Sequence, residues 1–441
     1  MDLTTGGVIC IVLLLILMGT GLQIGLSFIL SAFVVGALVL GIDSSLSLLG
    51  QVCYNTIASP TWACIPLFVL MGSFGAKGGF ARRAYLGINA LTGRIPGSLG
   101  VATCYGCAAF GAISGSSLAT TAIFGKLALP EMDKLHYDKT FATACIASAG
   151  TFASMIPPST MMIVYGLFTQ QSIGKLFAAG IIPGLITATV YSISIIYRCK
   201  KNPRLAPSLT SEEKTLALQT RAKAIWGIWP VALISFVVLG GLYSGLFTPT
   251  EAAAVGSIVT LAMGFYLGDI RRLDILITSM KEAANTTAMI FLINIGALFY
   301  SRILSVTRLP IDLMTLLQSL DIPRFGILLG VILILFILGM IMVPIGIYAL
   351  TLPIMFPMMV NLGYDPFWFA VVCLKLTEIG AVTPPVGLNI YAIKGVLPEG
   401  YNISMEQIFA GIWPFVICDL IVLTIIIAFP QIATWLPSFV G

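Results

Sequence analysis

Long apolar stretches separated by short polar breaks run the length of this 441-residue chain, most of them near the ~20 residues that a helix needs to cross a bilayer core. In the first half they lie at about 6–19, 22–41, 59–76, 96–130, 141–168 and 175–197. In the second they lie at about 224–246, 250–268, 285–303, 323–357, 367–396 and 410–430. Barrel strands would be far shorter and would alternate apolar with polar positions, so the pattern predicts an all-α integral membrane fold. Two runs, 96–130 and 323–357, are long enough for two short helices each. The first breaks at Ser114-Gly115-Ser116-Ser117 and the second between Gly339 and Pro344, so both read as re-entrant hairpins. The stretch from Gly79 to Leu91, which carries Arg82 and Arg83, reads as amphipathic.

Composition removes the soluble alternatives, since 58% of residues are hydrophobic and only 9% charged, against about 25% charged in a typical soluble domain. The start, Met1-Asp2-Leu3-Thr4-Thr5, has no basic region before its apolar run and no small-residue cleavage pattern after it, which predicts a first helix and not a removed leader. Nine cysteines are scattered, mostly in apolar runs where cysteine packs as a small hydrophobe, and imply no disulfide framework. Cys104-Tyr105-Gly106-Cys107 has redox spacing but sits in a Gly/Ala-rich apolar stretch, so packing is the expected role. His136, the only histidine, falls in a polar turn and argues against metal or triad chemistry. The net charge of +5 collects in short loops, as the positive-inside rule expects, and calls for no nucleic acid. Residues 77–94, with Lys77, Arg82, Arg83 and Arg94 and no acid, belong on the cytoplasmic side by that rule. So does the polar segment from Arg198 to Lys223, which divides the chain nearly in half.

The halves repeat. At an offset of 227, Ile95-Pro96 matches Ile322-Pro323, Pro130 matches Pro357, Tyr137-Asp138 matches Tyr364-Asp365, and Pro157-Pro158 matches Pro384-Pro385. After a four-residue slip, Gly180-Ile181 and Pro183 match Gly411-Ile412 and Pro414. The expected organisation is a first inverted repeat over 1–198, a basic connecting loop over 199–223 and a second repeat over 224–441. Parity and charge then give about ten transmembrane helices plus two hairpins of opposite orientation, with both termini on the outer side.

Each half pairs a hairpin tip with a double proline that must break a later helix, 42 residues on in both, from 115 to 157 and from 342 to 384. Irregular backbone at membrane depth is tolerated only where it is buried or lines a cavity. The chemistry on offer is oxygen: carbonyls of the unwound turns and hydroxyls of Ser114, Ser116, Ser117, Thr151, Ser159 and Thr383. Such ligands suit a hard cation such as sodium, by analogy with calcium and magnesium, while positive ends of half-helices favour an anionic substrate. Small residues and prolines also simply let membrane helices pack closely; the duplicated break at matched spacing favours a site. Lys375 and Glu378, one turn apart, read as a self-neutralising ion pair ahead of direct ion coupling. Arg302, at the end of its run, either meets a substrate carboxylate or snorkels to the interface.

At these residues the chain resembles a known family. Gly111-Ala112-Ile113-Ser114-Gly115-Ser116-Ser117, Ile156-Pro157-Pro158-Ser159, Glu378-Ile379-Gly380 and Thr383-Pro384-Pro385-Val386-Gly387-Leu388-Asn389 closely resemble the large membrane subunit of tripartite ATP-independent periplasmic (TRAP) transporters, as does Phe247-Thr248-Pro249-Thr250-Glu251-Ala252. The resemblance covers essentially the whole chain. It implies an elevator-type, sodium-driven carrier in the bacterial inner membrane, with periplasmic termini. It also implies a small membrane subunit and a periplasmic binding protein that delivers a small organic acid such as a dicarboxylate or sialic acid. The hairpins and broken helices would move, and the other helices would form a scaffold meeting the small subunit and lipid.

By that resemblance, sodium would be held at Ser114, Gly115, Ser116 and Ser117 with Gly150, Thr151 and Pro157, and at Gly339, Val343 and Pro344 with Thr383 and Gly387. Substrate contacts are expected among Ser116, Ser159, Pro384, Asn389 and Arg302. No organic cofactor and no catalytic residue is expected. One departure stands out: many relatives carry Asp before the second-hairpin proline, where this chain has Val343-Pro344-Ile345, so an ion there depends more on backbone carbonyls. The competing readings are a sodium/dicarboxylate-type carrier that works alone, an intramembrane hydrolase using a tip serine, and a structural anchor. The hydrolase lacks an activating base near the tip, and an anchor needs no pair of opposed hairpins.

Overall fold

The computed structural model describes residues 3–93, 95–207, 224, 226–267, 270–309, 311–312, 315 and 322–440. Most of the polar connecting segment, 208–223, lies outside the described residues. In chain order the helices are α1 (Leu3–Gly19), α2 (Ile24–Leu40), α3 (Ile42–Ala58), α4 (Cys64–Lys77), α5 (Phe80–Thr92), α6 (Ser98–Ser114), α7 (Ser117–Lys134), α8 (Lys139–Ala149), α9 (Phe152–Met155), α10 (Thr160–Thr169) and α11 (Ile173–Lys201). They continue as α12 (Trp229–Tyr243), α13 (Pro249–Leu267), α14 (Leu273–Val306), α15 (Arg324–Gly339), α16 (Pro344–Asn361), α17 (Pro366–Val382), α18 (Leu388–Lys394), α19 (Met405–Ala428) and α20 (Gln431–Thr434). The described residues contain no strand, as the apolar pattern predicts.

Five of these helices are individually long and apolar enough to cross a membrane, and the count rises to seven if two bent pairs each form one span. Five shorter apolar helices, α1, α2, α6, α12 and α15, lie beside them among the described residues. Two elements differ from the sequence reading. A helix, α3, occupies 42–58, which the apolar pattern leaves between runs, and it meets the following Pro60–Lys77 segment at 57°. Ser44, Ser47, Gln51 and Asn55 on one side and Ile42, Leu46, Leu49, Cys53 and Ile57 on the other make it amphipathic. And α14 runs unbroken for 34 residues from Leu273, well before the predicted start at 285, because Lys281 and Glu282 ride on the helix instead of ending it.

The helices sort into two bodies. In the first, α2 lies against α14 so closely that a Cβ on Gly296 would sit 2.5 Å from the Gly25 carbonyl, an approach only small residues permit. Ser257 of α13 donates to the Leu67 carbonyl of α4 at 2.7 Å, tying that pair too. The second body holds the hairpins α6–α7 and α15–α16 and the broken helices α8–α10 and α17–α18, with α11 and α19 packed beside them.

Within that second body the repeat is physical. Asp138 and Asp365 cap the two broken helices, accepting from Phe141 N and from Phe367 N and Trp368 N. The preceding tyrosines tie each broken helix to the start of its hairpin: the Leu99 amide donates to Tyr137, and Tyr364 donates to the Arg324 carbonyl. Glycines let each hairpin arm touch its broken helix. A Cβ on Gly111 would lie 2.6 Å from Ala153 Cα, and one on Gly380 would lie 2.3 Å from the Gly339 carbonyl carbon. The units then cross over. Tyr165 of α10 packs edge-on against Tyr348 and Phe356 of the second hairpin, while Gly125 of the first hairpin abuts Ile393 of α18.

Candidate functional site

Proline cannot donate a backbone hydrogen bond, so Pro157-Pro158 and Pro384-Pro385 end one helical segment and free the chain to turn before the next. The first broken helix bends by 43° between 139–155 and 160–169. Ser159 restarts it as N-cap of α10, accepting from Met162 N at 3.2 Å, and its own hydroxyl donates to the Ser154 carbonyl. Gly387, at φ +61°, restarts the second.

Each tip closes onto its own break. Gly115 turns the first tip at φ +58°, and its carbonyl accepts from Thr160 N at 3.3 Å. In the second unit the Met340 carbonyl accepts from Val386 N, also at 3.3 Å. The structure therefore brings Ser114, Gly115, Ser116 and Ser117 to the turn containing Pro157 and Ser159. Likewise it brings Gly339, Val343 and Pro344 to the turn containing Thr383, Pro384 and Gly387.

Around the first tip the donors are hydroxyls. Ser114 Oγ lies 2.8 Å from Thr120 Oγ1, Ser116 caps α7, and Thr151 Oγ1 donates to the Ser148 carbonyl at 2.7 Å. Gly150 lies against Thr121, close enough that a Cβ on the glycine would collide with the hydroxyl. Thr121 Oγ1 and Ser148 Oγ are both buried without a hydrogen-bond partner. Buried hydroxyl oxygens without partners are costly unless something else fills their coordination, so this oxygen set fits a hard monovalent cation. Around the second tip the side chains are poorer: Val343 precedes α16 with no side-chain cap, and Thr383 Oγ1, which donates to the Ile379 carbonyl and keeps its lone pairs, is the hydroxyl at the break. The remaining oxygen there comes from the backbone.

Between the two bodies lies a cavity of about 630 Å³. Ser114, Gly115, Ser116, Ser117, Val343, Pro344 and Asn389 line it from the hairpin body, and Gln23, Gly72, Ser73, Glu282 and Ile290 from the other. Asn389 spans the repeats, donating from Nδ2 to the Ala147 carbonyl of the first half at 3.1 Å. Its Oδ1 has no hydrogen-bond partner. Gly150, Thr151, Pro157, Ser159, Gly339, Thr383, Pro384 and Gly387 stand behind this wall and do not line the cavity. Arg302 is placed elsewhere, in a separate cavity of about 260 Å³ with Gln51, Asn55 and Gln170.

Sequence reasoning missed one charged residue. Lys375 and Glu378 are joined by Asp419 of α19, whose Oδ1 lies 2.7 Å from Lys375 Nζ while Glu378 Oε2 lies at 3.4 Å. Tyr191 donates to Asp419 Oδ2 at 2.7 Å, and Ser154 donates to Glu378 Oε1 at 2.9 Å. A carboxylate inside a 24-residue apolar helix was the available signal for Asp419. The hydroxyls of Thr121, Ser148 and Ser154 gave none, since lone Ser and Thr are common in membrane helices.

Two hairpins, two broken helices and a cavity between them and α2, α4 and α14 give this all-helical chain, with its several apolar spans, the layout of a multi-pass membrane permease. Residues 11–432 match the family described as the tripartite ATP-independent periplasmic transporter, DctM component, and the chain belongs to that family. It is 34% identical over 392 residues to the C4-dicarboxylate TRAP transporter large permease protein DctM of Pseudomonas aeruginosa, covering 88% of each chain. It is 30% identical to the sialic acid TRAP transporter large permease protein SiaM of Vibrio cholerae, over 96% of this chain and 97% of that one. The fold is similar to that of the Alcanivorax borkumensis YdaH transporter, with a TM-score of 0.62 at 14% identity and 89% of each chain covered. These relatives are permeases, not enzymes.

Proposed function

We propose that this chain carries a small organic acid anion across the bacterial inner membrane, driven by sodium and not by ATP, through elevator movement of the hairpin body against the other body. The observation that carries the reading is the convergence of both hairpin tips and the residues flanking both helix breaks on one cavity, whose opposite wall belongs to α2, α4 and α14. Such a cavity travels with the hairpins if that body slides. The unpartnered hydroxyl of Thr121, against Gly150 and one turn from Ser117, and that of Ser148, two residues before Gly150, support a sodium position in the first unit. Gly339, Val343, Pro344, Thr383 and Gly387 would offer backbone carbonyls to a second. Asn389 Oδ1, Ser116 and the restarted helix ends of α10 and α18 suit a substrate carboxylate and its hydroxyls. Arg302, outside this cavity, is assigned no contact with cargo held there.

Relatives named for C4-dicarboxylate and sialic acid point to a carboxylate-bearing cargo. Membership of a tripartite family supports a small membrane subunit and a periplasmic binding protein as partners. With residues 77–94 on the cytoplasmic side, both termini are periplasmic. The cavity rim at half-exposed Glu282, paired with Lys77 at 3.0 Å, then faces inward. The test is uptake of radiolabelled C4-dicarboxylate or sialic acid into proteoliposomes under an imposed sodium gradient, a proton gradient or ATP, with candidate binding proteins added. Accumulation that needs sodium and a binding protein is expected. Uptake without any binding protein would favour the stand-alone carrier, and dependence on ATP would overturn the mechanism.

A further inference from the structure

The charged cluster behind the cavity does not balance. Lys375 is fully buried and lies closer to Asp419, at 2.7 Å, than to Glu378, at 3.4 Å. Asp419, also fully buried, has its second oxygen taken by Tyr191. One lysine thus serves two carboxylates, which leaves the cluster one negative charge in excess, and Glu378 is the carboxylate held farther from it. Of the three charged groups, Glu378 alone is on the cavity wall. It is 3% exposed, and Ser154 from the break of the other repeat donates to it.

The fold does not require these charges. At the 227-residue offset, Lys375 corresponds to Ser148 and Glu378 to Thr151, and at the slipped offset Asp419 corresponds to Ala188. At these three positions the first repeat has small residues: serine, threonine and alanine. Every other charged or titratable group around Glu378 leaves its excess charge in place. Lys375 on its own helix is shared with the nearer Asp419 of α19; Tyr191 of α11 serves Asp419; buried Tyr348 of α16 adds a phenol and no cation; and Glu282 of α14, across the cavity, is a further acid. A surplus buried carboxylate is tolerable while cavity water reaches it and expensive once that water is expelled.

We propose that Glu378 is a proton-binding site of the cavity wall. Its carboxylate takes one proton, delivered as hydronium from the solution through cavity water, as the cavity closes and dries, and releases it to the solution as hydronium when the cavity reopens. The wall therefore passes through the closed state without an unpaired charge, whatever cation the hairpin tips hold. The proposal rests on the carrier reading only for its place in a cycle; the proton site is testable without transport.

The experiment is infrared difference spectroscopy on the full chain in lipid vesicles, stepping pH across the range in which the protein stays folded and following the carbonyl stretch of a protonated carboxyl. The wild type is expected to show a band that titrates as a single group. Glu378→Gln should lack it, and Ser154→Ala should move its midpoint to higher pH, because the lost hydroxyl stabilised the ionised form. Absence of such a band in the wild type, or its persistence in Glu378→Gln, would overturn the proposal. If Glu378→Gln fails to insert, an unmoved midpoint in Ser154→Ala overturns it alone. An intact band together with no sodium-driven uptake would instead count against the carrier reading.

Discussion

The two hairpin-and-break units share a backbone plan and differ in what fills it. The first lines its tip and break with hydroxyls, of which Thr121 and Ser148 have no hydrogen-bond partner. The second has an uncapped tip at Val343, with charge set behind it in Lys375, Glu378 and Asp419. Geometry held constant by the repeat lets chemistry be compared position by position. On the proposed reading the first unit would surround a cation with side-chain oxygen, while the second would rely mainly on carbonyls and places a carboxylate on the shared wall.

The largest expected break of this comparison comes from the charged side. Lys375→Ala leaves Asp419 buried without its partner and should cost about 3–5 kcal/mol, read as a lower thermal unfolding midpoint in detergent. Its counterpart Ser148→Ala removes an unpartnered hydroxyl and should change sodium-free stability by less than about 1 kcal/mol. Equal effects at the two positions would erase the proposed asymmetry.

Next come the glycine contacts. Gly380→Ala drives a methyl into the Gly339 backbone and Gly111→Ala into Ala153, each at an expected cost of about 1–3 kcal/mol. Gly380 should suffer more, since its intended Cβ position lies 2.3 Å from backbone against 2.6 Å for Gly111. Third, Ser116→Ala removes the α7 cap and should destabilise by about 1 kcal/mol, whereas Val343→Ser supplies a cap to α16 and should stabilise by a similar or smaller amount. Opposite signs at matched tips are the signature to look for. The smallest effect belongs to the partly exposed cavity rim: Lys77→Ala, breaking the pair with Glu282, should shift stability by no more than about 1 kcal/mol.

Much of this layout is legible in the sequence because proline and glycine act locally. Pro157-Pro158 and Pro384-Pro385 break helices wherever they occur, and Ser114 to Ser117 interrupts an apolar run, so the hairpins and broken helices emerge with their tips in place. Amphipathic and polar helices are harder. The α3 segment reads as a loop because its polar face interrupts the apolar run, and α14 extends past its apolar stretch because charged residues can ride on a helix end. The site is legible only as far as it is local. Ser114 and Thr160, or Gly339 and Gly380, follow from the tip-and-break spacing. Asp419 beside Lys375, Ser154 beside Glu378 and Asn389 across from Ala147 depend on how the repeats cross, which no spacing encodes. Arg302 depends on the same long-range packing: the sequence leaves it either meeting a carboxylate or snorkelling to the interface, and α14 places it in a different cavity from the hairpin tips.

The central claim is that both tips hold sodium while the cavity between the bodies holds the anion. Its most direct measurement is the sodium dependence of radiolabelled organic acid uptake in proteoliposomes containing this chain, its small membrane subunit and a binding protein, for the wild type, Ser116→Ala and Thr383→Ala. The account predicts that both variants insert and fold, that each needs more sodium for half-maximal uptake, and that the steepness of the sodium curve falls in each. Curves superimposable on the wild type in both variants, or wild-type uptake indifferent to sodium, would contradict it.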